Sequence, residues 1–318
     1  MRKAAAALFP ESLVEQDAFL AALTHPPERG TAIFWIREKR SGAFTAVPRD
    51  ELPAWLPEEV DLLSPGNKVG QTSSFLEGEI YSLDLSSVAT GSAMREALAW
   101  LPEQPRVLDL CAAPGGKSVM ASRWLRPGLL LANEVEARRL GILRQNLQRC
   151  RIPRAYLSKA MPEALALAAP EAFDFVLADA PCSGQSLLAK GQENLGCFHP
   201  SIIKGNAKRQ LGIILAAADL VCVGGGLLYT TCTFSPKENE GVIEKFLSKR
   251  ADFAAVLTPH LEPFRSPFMD SPGYRVYPHQ FPGAGGFTCL LRREGQRGDP
   301  LPELPARLVA YPVASGDS

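Results

Sequence analysis

From about residue 106 onward, short apolar runs bounded by turn residues recur along the chain: Arg106–Cys111, Leu129–Glu134, Ala155–Ser158, Phe173–Asp179 and Leu227–Thr231. Between them apolar residues fall at helical spacing, as with Leu140, Leu143 and Leu147, or Ile203, Leu211, Ile214 and Leu215. Runs with little polar alternation mark strands buried on both faces, and intervening helices supply the crossovers of a parallel sheet. The pattern predicts a long helix over about 201–222 ended by Gly224-Gly225-Gly226, a helix over 236–249, and a closing β pair from Tyr274–Tyr277 and Phe287–Leu291. An α/β fold follows, with helices on both faces of the sheet and ligands at the carboxyl ends of its strands.

The first 75 residues read as a separate small α+β unit. A helical pattern (Leu13, Phe19, Leu20, Leu23) precedes a β-like stretch, Ala32–Ile36, and a passage containing Pro48, Pro53, Pro57 and Pro65. Arg37, Lys39, Arg40 and Arg49 lie near Phe34, Trp35 and Phe44. Cations beside aromatics suit single-stranded RNA, whose bases stack and whose phosphates need countercharge; a solvated hairpin with an aromatic underside gives the same pattern. The predicted division is 1–75, 76–294 and a Pro-rich tail over 295–318, an extended strap or a frayed terminus.

Composition narrows the classes. At 318 residues and 46% hydrophobic, the chain can bury a sizeable core in two domains. Lysines and arginines (34) balance aspartates and glutamates (34), so any nucleic-acid site must be a local patch. Seven cysteines, an odd number without CxxC spacing, argue against a disulfide framework or a metal site and for a reducing compartment. The alanine-rich start before Pro10 is too brief for a signal peptide, and no apolar run approaches the ~18 residues of a membrane span. A soluble, cytoplasmic chain is expected.

Two cysteines stand out. Cys182 and Cys232 each close a predicted strand, in ADAPCSG and LLYTTCTFSPKENE. Thiolates attack electron-poor ring carbons, and two at neighbouring strand ends suggest covalent chemistry with a separate release step; a cysteine is also an ordinary small buried hydrophobe. Upstream, the stretch from Val107 to Lys117 reads as a strand running into a turn of small residues and then a helix. Small side chains let a ligand approach the backbone, and amides at a helix start favour an anionic group. The turn is not GxGxxG. Glu134, eighteen residues beyond Gly116, ends the next strand; there it can accept both ribose hydroxyls of an adenosine-type cofactor or complement a helix dipole.

Over residues 75–292 the chain resembles the Sun-family RNA (cytosine-5) methyltransferases, and within them the RsmF-like bacterial 16S ribosomal RNA enzymes. The resemblance rests on DLCAAPGGK (109–117), DAPCSG (179–184), Gln210, YTTCTFSPKENE (229–240), RVYPH (275–279) and GFTCLL (286–291). It implies a Rossmann-like class I methyltransferase core with a mostly parallel seven-stranded sheet, S-adenosylmethionine as cofactor, and transfer of a methyl group to carbon 5 of a cytosine. Carried over, Cys111, Ala112, Ala113, Pro114, Gly115, Gly116, Lys117, Glu134 and Asp179 hold the cofactor. Cys232 is the nucleophile, Cys182 assists breakdown of the adduct, and Asp179 stabilises the base. Lys117 either positions or supports charge, or is structural. The expected partner is RNA, as 16S rRNA or the small ribosomal subunit, with no membrane, no metal and a monomeric chain.

The chain also departs from the RsmF-like pattern. EGMFRK after DAPCSG is replaced by Gln185–Lys190, the tryptophan before the long helix by the region of His199-Pro200, and the glutamine of an upstream Y-x-Q-[DE] element by Leu83. The acid near the third strand gives way to Ser158 and Lys159, no Arg-x-Asn element is evident in Phe34–Lys39, and residues 1–318 are expected to act without the C-terminal RNA-binding extension of the RsmF-like pattern. RNA selection is the property these changes touch. Two alternatives stay open: transfer RNA as substrate, and a catalytically weak RNA-binding ribosome assembly factor.

Overall fold

The structure is a computed structural model and describes residues 1–40, 44–194, 196–298 and 300–313. Its N-terminal part has two helices, α1 (Arg2–Leu8) and α2 (Leu13–Thr24), then strands β1 (Thr31–Trp35) and β2 (Val60–Leu63), a short helix α3 (Ser73–Leu76) and strand β3 (Ile80–Leu83). The three strands form an antiparallel sheet in the order β2-β1-β3. The third strand therefore lies past the division at residue 75. Ser12 starts α2 because its hydroxyl accepts from the Glu15 amide at 3.2 Å, satisfying one of the helix's free donors.

After α4 (Leu85–Ser92) the alternating pattern begins: β4 (Arg106–Asp109), α5 (Gly116–Leu125), β5 (Leu129–Asn133), α6 (Ala137–Arg149), β6 (Ala155–Ser158), α7 (Pro162–Ala168), β7 (Phe173–Asp179), α8 (Pro200–Leu220), β8 (Val221–Thr231) and α9 (Glu240–Lys249). Strands β9 (Phe253–Ala255), β10 (Tyr274–Val276) and β11 (Gly286–Arg293) complete the sheet. Its order is β10-β11-β8-β7-β4-β5-β6, with β9 paired to the far end of β11 as an eighth strand. Strands β4 to β8 run parallel and the other three antiparallel. The seven predicted strands are all present; β9 was not foreseen, because three residues are too few to show a period.

Val107, Leu108, Val176, Leu177, Leu227 and Leu228 are wholly buried, as both-faced strands require. One prediction fails at β8. Gly224-Gly225-Gly226 does not end the helix but lies within the strand, which starts at Val221. A Cβ on Gly225 would stand 2.7 Å from the Asp174 carbonyl, and one on Gly226 2.7 Å from the Phe175 ring. The glycines let β8 press against β7 through a register shift between Phe173 and Phe175.

The small unit is not detached. Phe34 of β1 meets Trp124 of α5 edge-on at 5.3 Å, inside a core shared with Val107 and Leu130. Phe34 and Trp35 are buried, Lys39 pairs with Asp61, Arg40 with Glu79, and Arg49 donates to the carbonyls of Leu56 and Val60. Neither of these two rings is free to stack on a base, and Phe44, the third ring of the predicted cluster, is half-buried edge-on against Trp35 at 5.9 Å. The tail binds the outer edge of the sheet as a strap. The Leu157 amide donates to the Tyr311 carbonyl, the Val313 amide to that of Ala155, and Leu301, Leu308 and Val313 are buried. Asp299 and 314–318 of the tail lie outside the described residues.

Candidate active site

Because β4, β5, β7 and β8 are parallel, Asp109, Asn133, Asp179 and Thr231 all arrive at one edge of the sheet. A cleft of about 500 Å³ opens there. It is lined by Cys111, Ala112, Ala113, Pro114, Gly116, Lys117, Asp179, Cys182 and Cys232 among the predicted site residues. Gly115 and Glu134 stand outside that lining.

The turn after β4 is shaped for close approach. Gly115 caps α5 at φ +118°, a conformation that only glycine adopts without cost. Tyr81 and Leu83 of β3 close over it: a Cβ on Gly116 would lie 2.6 Å from Leu83 Cδ2, and Tyr81 Oη donates to the Pro114 carbonyl at 3.2 Å. Asp109, beneath the turn, is wholly buried. Its Oδ2 accepts from Ser118 Oγ at 2.7 Å, its Oδ1 receives no hydrogen bond, and burial pushes its carboxyl up to about 7. Glu134 is 2% exposed. Oε1 accepts from the Glu136 amide at 3.0 Å, and Oε2 receives no hydrogen bond, though the Arg139 guanidinium lies 3.2 Å away. Arg139 also donates to the Ala113 carbonyl at 2.6 Å, joining the ends of the two strands. Two carboxyl oxygens without donors beside a turn of minimal side chains fit a hydroxyl-bearing, positively charged nucleoside.

At the other side of the cleft the strand ends of β7 and β8 carry the reactive groups. Asp179 Oδ2 accepts from Lys117 Nζ at 2.8 Å and Oδ1 from Thr230 Oγ1 at 2.7 Å, which fixes the plane of the carboxylate. Cys182 and Cys232 face each other with Sγ atoms 3.1 Å apart. The Cys232 thiol is lowered, first by its hydrogen bond with Cys182 and further by Lys117 and Lys190, against burial and the charge of Asp179. Cys182 is raised by the same hydrogen bond and by burial. Of the two, Cys232 is the thiol more readily ionised. Cys232 is open to the cleft and Cys182 is half-buried.

Asp109, Arg139 and Glu238 were not singled out from the sequence. Asp109 sits inside the quoted DLCAAPGGK motif and Glu238 inside PKENE, but only the fold shows the first without a donor and the second under Cys182. Lys190, the remaining cation of the altered 185–190 segment, lines the cleft beside Leu187. No group of three or more metal-binding side chains occurs among the described residues.

A parallel sheet with an antiparallel hairpin at one end and a small-residue turn after β4 defines a class I methyltransferase fold. A methyltransferase homologue protein from Pyrococcus horikoshii superposes with a TM-score of 0.73 at 23% identity, covering 92% of this chain and 93% of its own. The chain matches the family described as 16S rRNA methyltransferase RsmB/F over residues 97–292 and belongs to it. It is similar to the ribosomal RNA small subunit methyltransferase F of Klebsiella pneumoniae (29% identity, 96% of this chain, 67% of that protein). The protein of the same name from Erwinia tasmaniensis is 32% identical over 79% of this chain and 52% of its own length. The chain thus spans between half and two thirds of these relatives.

Proposed function

We propose that the chain methylates carbon 5 of a cytosine in RNA, with S-adenosylmethionine as cofactor and 16S ribosomal RNA as substrate. The observation carrying this reading is the pair of sulfurs, 3.1 Å apart, in the cleft that Asp179, Lys117 and the Cys111–Gly116 turn also line. Residues 111–117, Glu134 and Asp179 would hold the cofactor, which when bound supplies an electrophilic methyl group.

Carbon 5 of cytosine is a poor nucleophile. Addition of the Cys232 thiolate to carbon 6 makes it an enamine carbon able to take the methyl. Asp179, locked by Lys117 and Thr230, would accept from the exocyclic amine, while the Lys117 cation beside it offsets the negative charge that builds on the ring as sulfur adds. After transfer a general base takes the carbon 5 proton, the electron pair left behind re-forms the ring double bond and expels the Cys232 thiolate, and Cys182, beside the departing sulfur, assists this release. The base must reach the cleft unpaired, in a single strand or flipped from a duplex. No helix among the described residues is long and apolar enough to cross a membrane, and we place the activity in the cytoplasm, on a monomer.

The test uses small ribosomal subunits from a strain lacking this gene, with tritiated cofactor and bisulfite mapping of the product. Transfer of label to one or more cytosines is expected; no label on any RNA sinks the reading. Cys232→Ala should lower transfer by more than roughly a thousandfold. Cys182→Ala should leave a protein–RNA adduct that survives a denaturing gel.

A further inference from the structure

We propose that Glu238 is a positioning residue that aligns the Cys182 loop with the Cys232 loop, so that release of the methylated base depends on it. The inference rests on the covalent reading above and adds to it.

Glu238 is wholly buried and has no ion-pair partner among the described residues. Its Oε2 accepts from the Ser183 amide at 2.8 Å and from Gln210 Nε2 at 3.1 Å, and its Oε1 from Ser183 Oγ at 2.6 Å. Gln210 Nε2 also donates to the Pro181 carbonyl at 3.0 Å, so both neighbours of Cys182 in the chain are held by one cluster. Ser183 Oγ lies 2.8 Å from Thr233 Oγ1, the residue after Cys232, and the Ser186 amide donates to the Cys232 carbonyl at 3.2 Å. A carboxylate can only accept. It therefore sets the sense of the chain: the Thr233 hydroxyl donates to Ser183, and Ser183 donates to Glu238.

A buried carboxylate without a countercharge is costly, and burial raises its pKa against the pull of Ser183. Such a group persists where neutral side chains cannot meet the same set of donors. A glutamine at 238 would turn one acceptor into a donor facing Ser183 or Gln210, leaving a buried donor clash. The loop bearing Cys182 would shift, while Cys232, on its own strand end, would stay close to place. Attack would continue and release would slow.

The experiment compares wild type, Glu238→Gln, Ser183→Ala and Cys182→Ala on small ribosomal subunits from the strain lacking this gene. It reads the fraction of protein trapped on RNA, the turnover rate, and the pH midpoint of Cys232 alkylation by iodoacetamide. Glu238→Gln should raise the trapped fraction several-fold, cut turnover roughly tenfold or more, and move the alkylation midpoint upward as Cys232 loses its Cys182 donor. Ser183→Ala, which keeps its amide, should shift all three in the same directions, and it decides the matter if Glu238→Gln does not fold. If Cys182→Ala traps RNA while neither other variant exceeds wild type, Glu238 is merely structural and the inference is overturned. If Cys182→Ala traps nothing, the covalent reading itself falls, a different result from the first.

Discussion

At the scale of single residues, the site works by pairing each charge with a group that fixes its direction. Lys117 both orients Asp179 and favours the Cys232 thiolate. Replacing it with methionine removes a cation and leaves the Asp179 charge uncompensated, and both effects push the thiol up. Iodoacetamide alkylation of Cys232 in Lys117→Met should therefore reach its midpoint at a higher pH than in wild type. Asp109 is shifted in the opposite direction to an ion-paired carboxylate. Its folded value is pushed from 3.8 up to about 7, so the folded chain keeps a proton that the unfolded chain has already lost. Its contribution to stability is present below pH 4 and is lost as pH climbs towards 7, by up to about 1.4 kcal/mol per pH unit. Asp109→Asn should flatten that slope, as urea unfolding at pH 5 and pH 8 would show. Cys182 and Cys232 were legible in the sequence because their motifs are distinctive. Glu238 was not, because a carboxylate in a PKENE segment gives no hint that it will end beneath a serine fifty-five positions earlier.

Among the elements, the sheet was the most readable part. Ala155–Ser158 and Phe173–Asp179 begin and end where their apolar runs do, since a strand covered on both faces must be apolar throughout. Strand β8 was misjudged from its three glycines, which punctuate most chains but here permit two strands to approach. The consequence is measurable. Gly225→Ala would drive its Cβ to 2.7 Å from the Asp174 carbonyl and 3.0 Å from that of Cys222, and neither backbone group can yield cheaply. A loss of about 2 kcal/mol or more is expected in chemical denaturation. Phe34 and Trp35 are not free to stack on a base for a related reason: a strand of TAIFW with four buried positions is a core strand, whatever cations flank it.

For the molecule as a whole, the N-terminal helices pack behind the nucleophile against segments far along the chain. Phe19 of α2 packs edge-on against Phe234, two residues past Cys232, at 5.1 Å, and Glu15 Oε2 bonds His279 Nε2 at 2.8 Å. The N-terminal helices are thereby part of the wall that holds the reactive loop. Phe19→Ala should cost about 3 kcal/mol or more in stability and should also reduce methyl transfer at temperatures where the variant remains folded. A helix serving only as a detached RNA-contacting unit would leave transfer per folded molecule unchanged with short substrates. The joint also sets a schedule for synthesis. Glu15 and His279 are 264 positions apart, so α2 leaves the ribosome long before its partner exists. At roughly 5–20 residues per second that wait lasts on the order of tens of seconds, with Phe19 uncovered throughout. A methyltransferase built this way cannot settle its reactive loop against α2 before residue 279 has been translated.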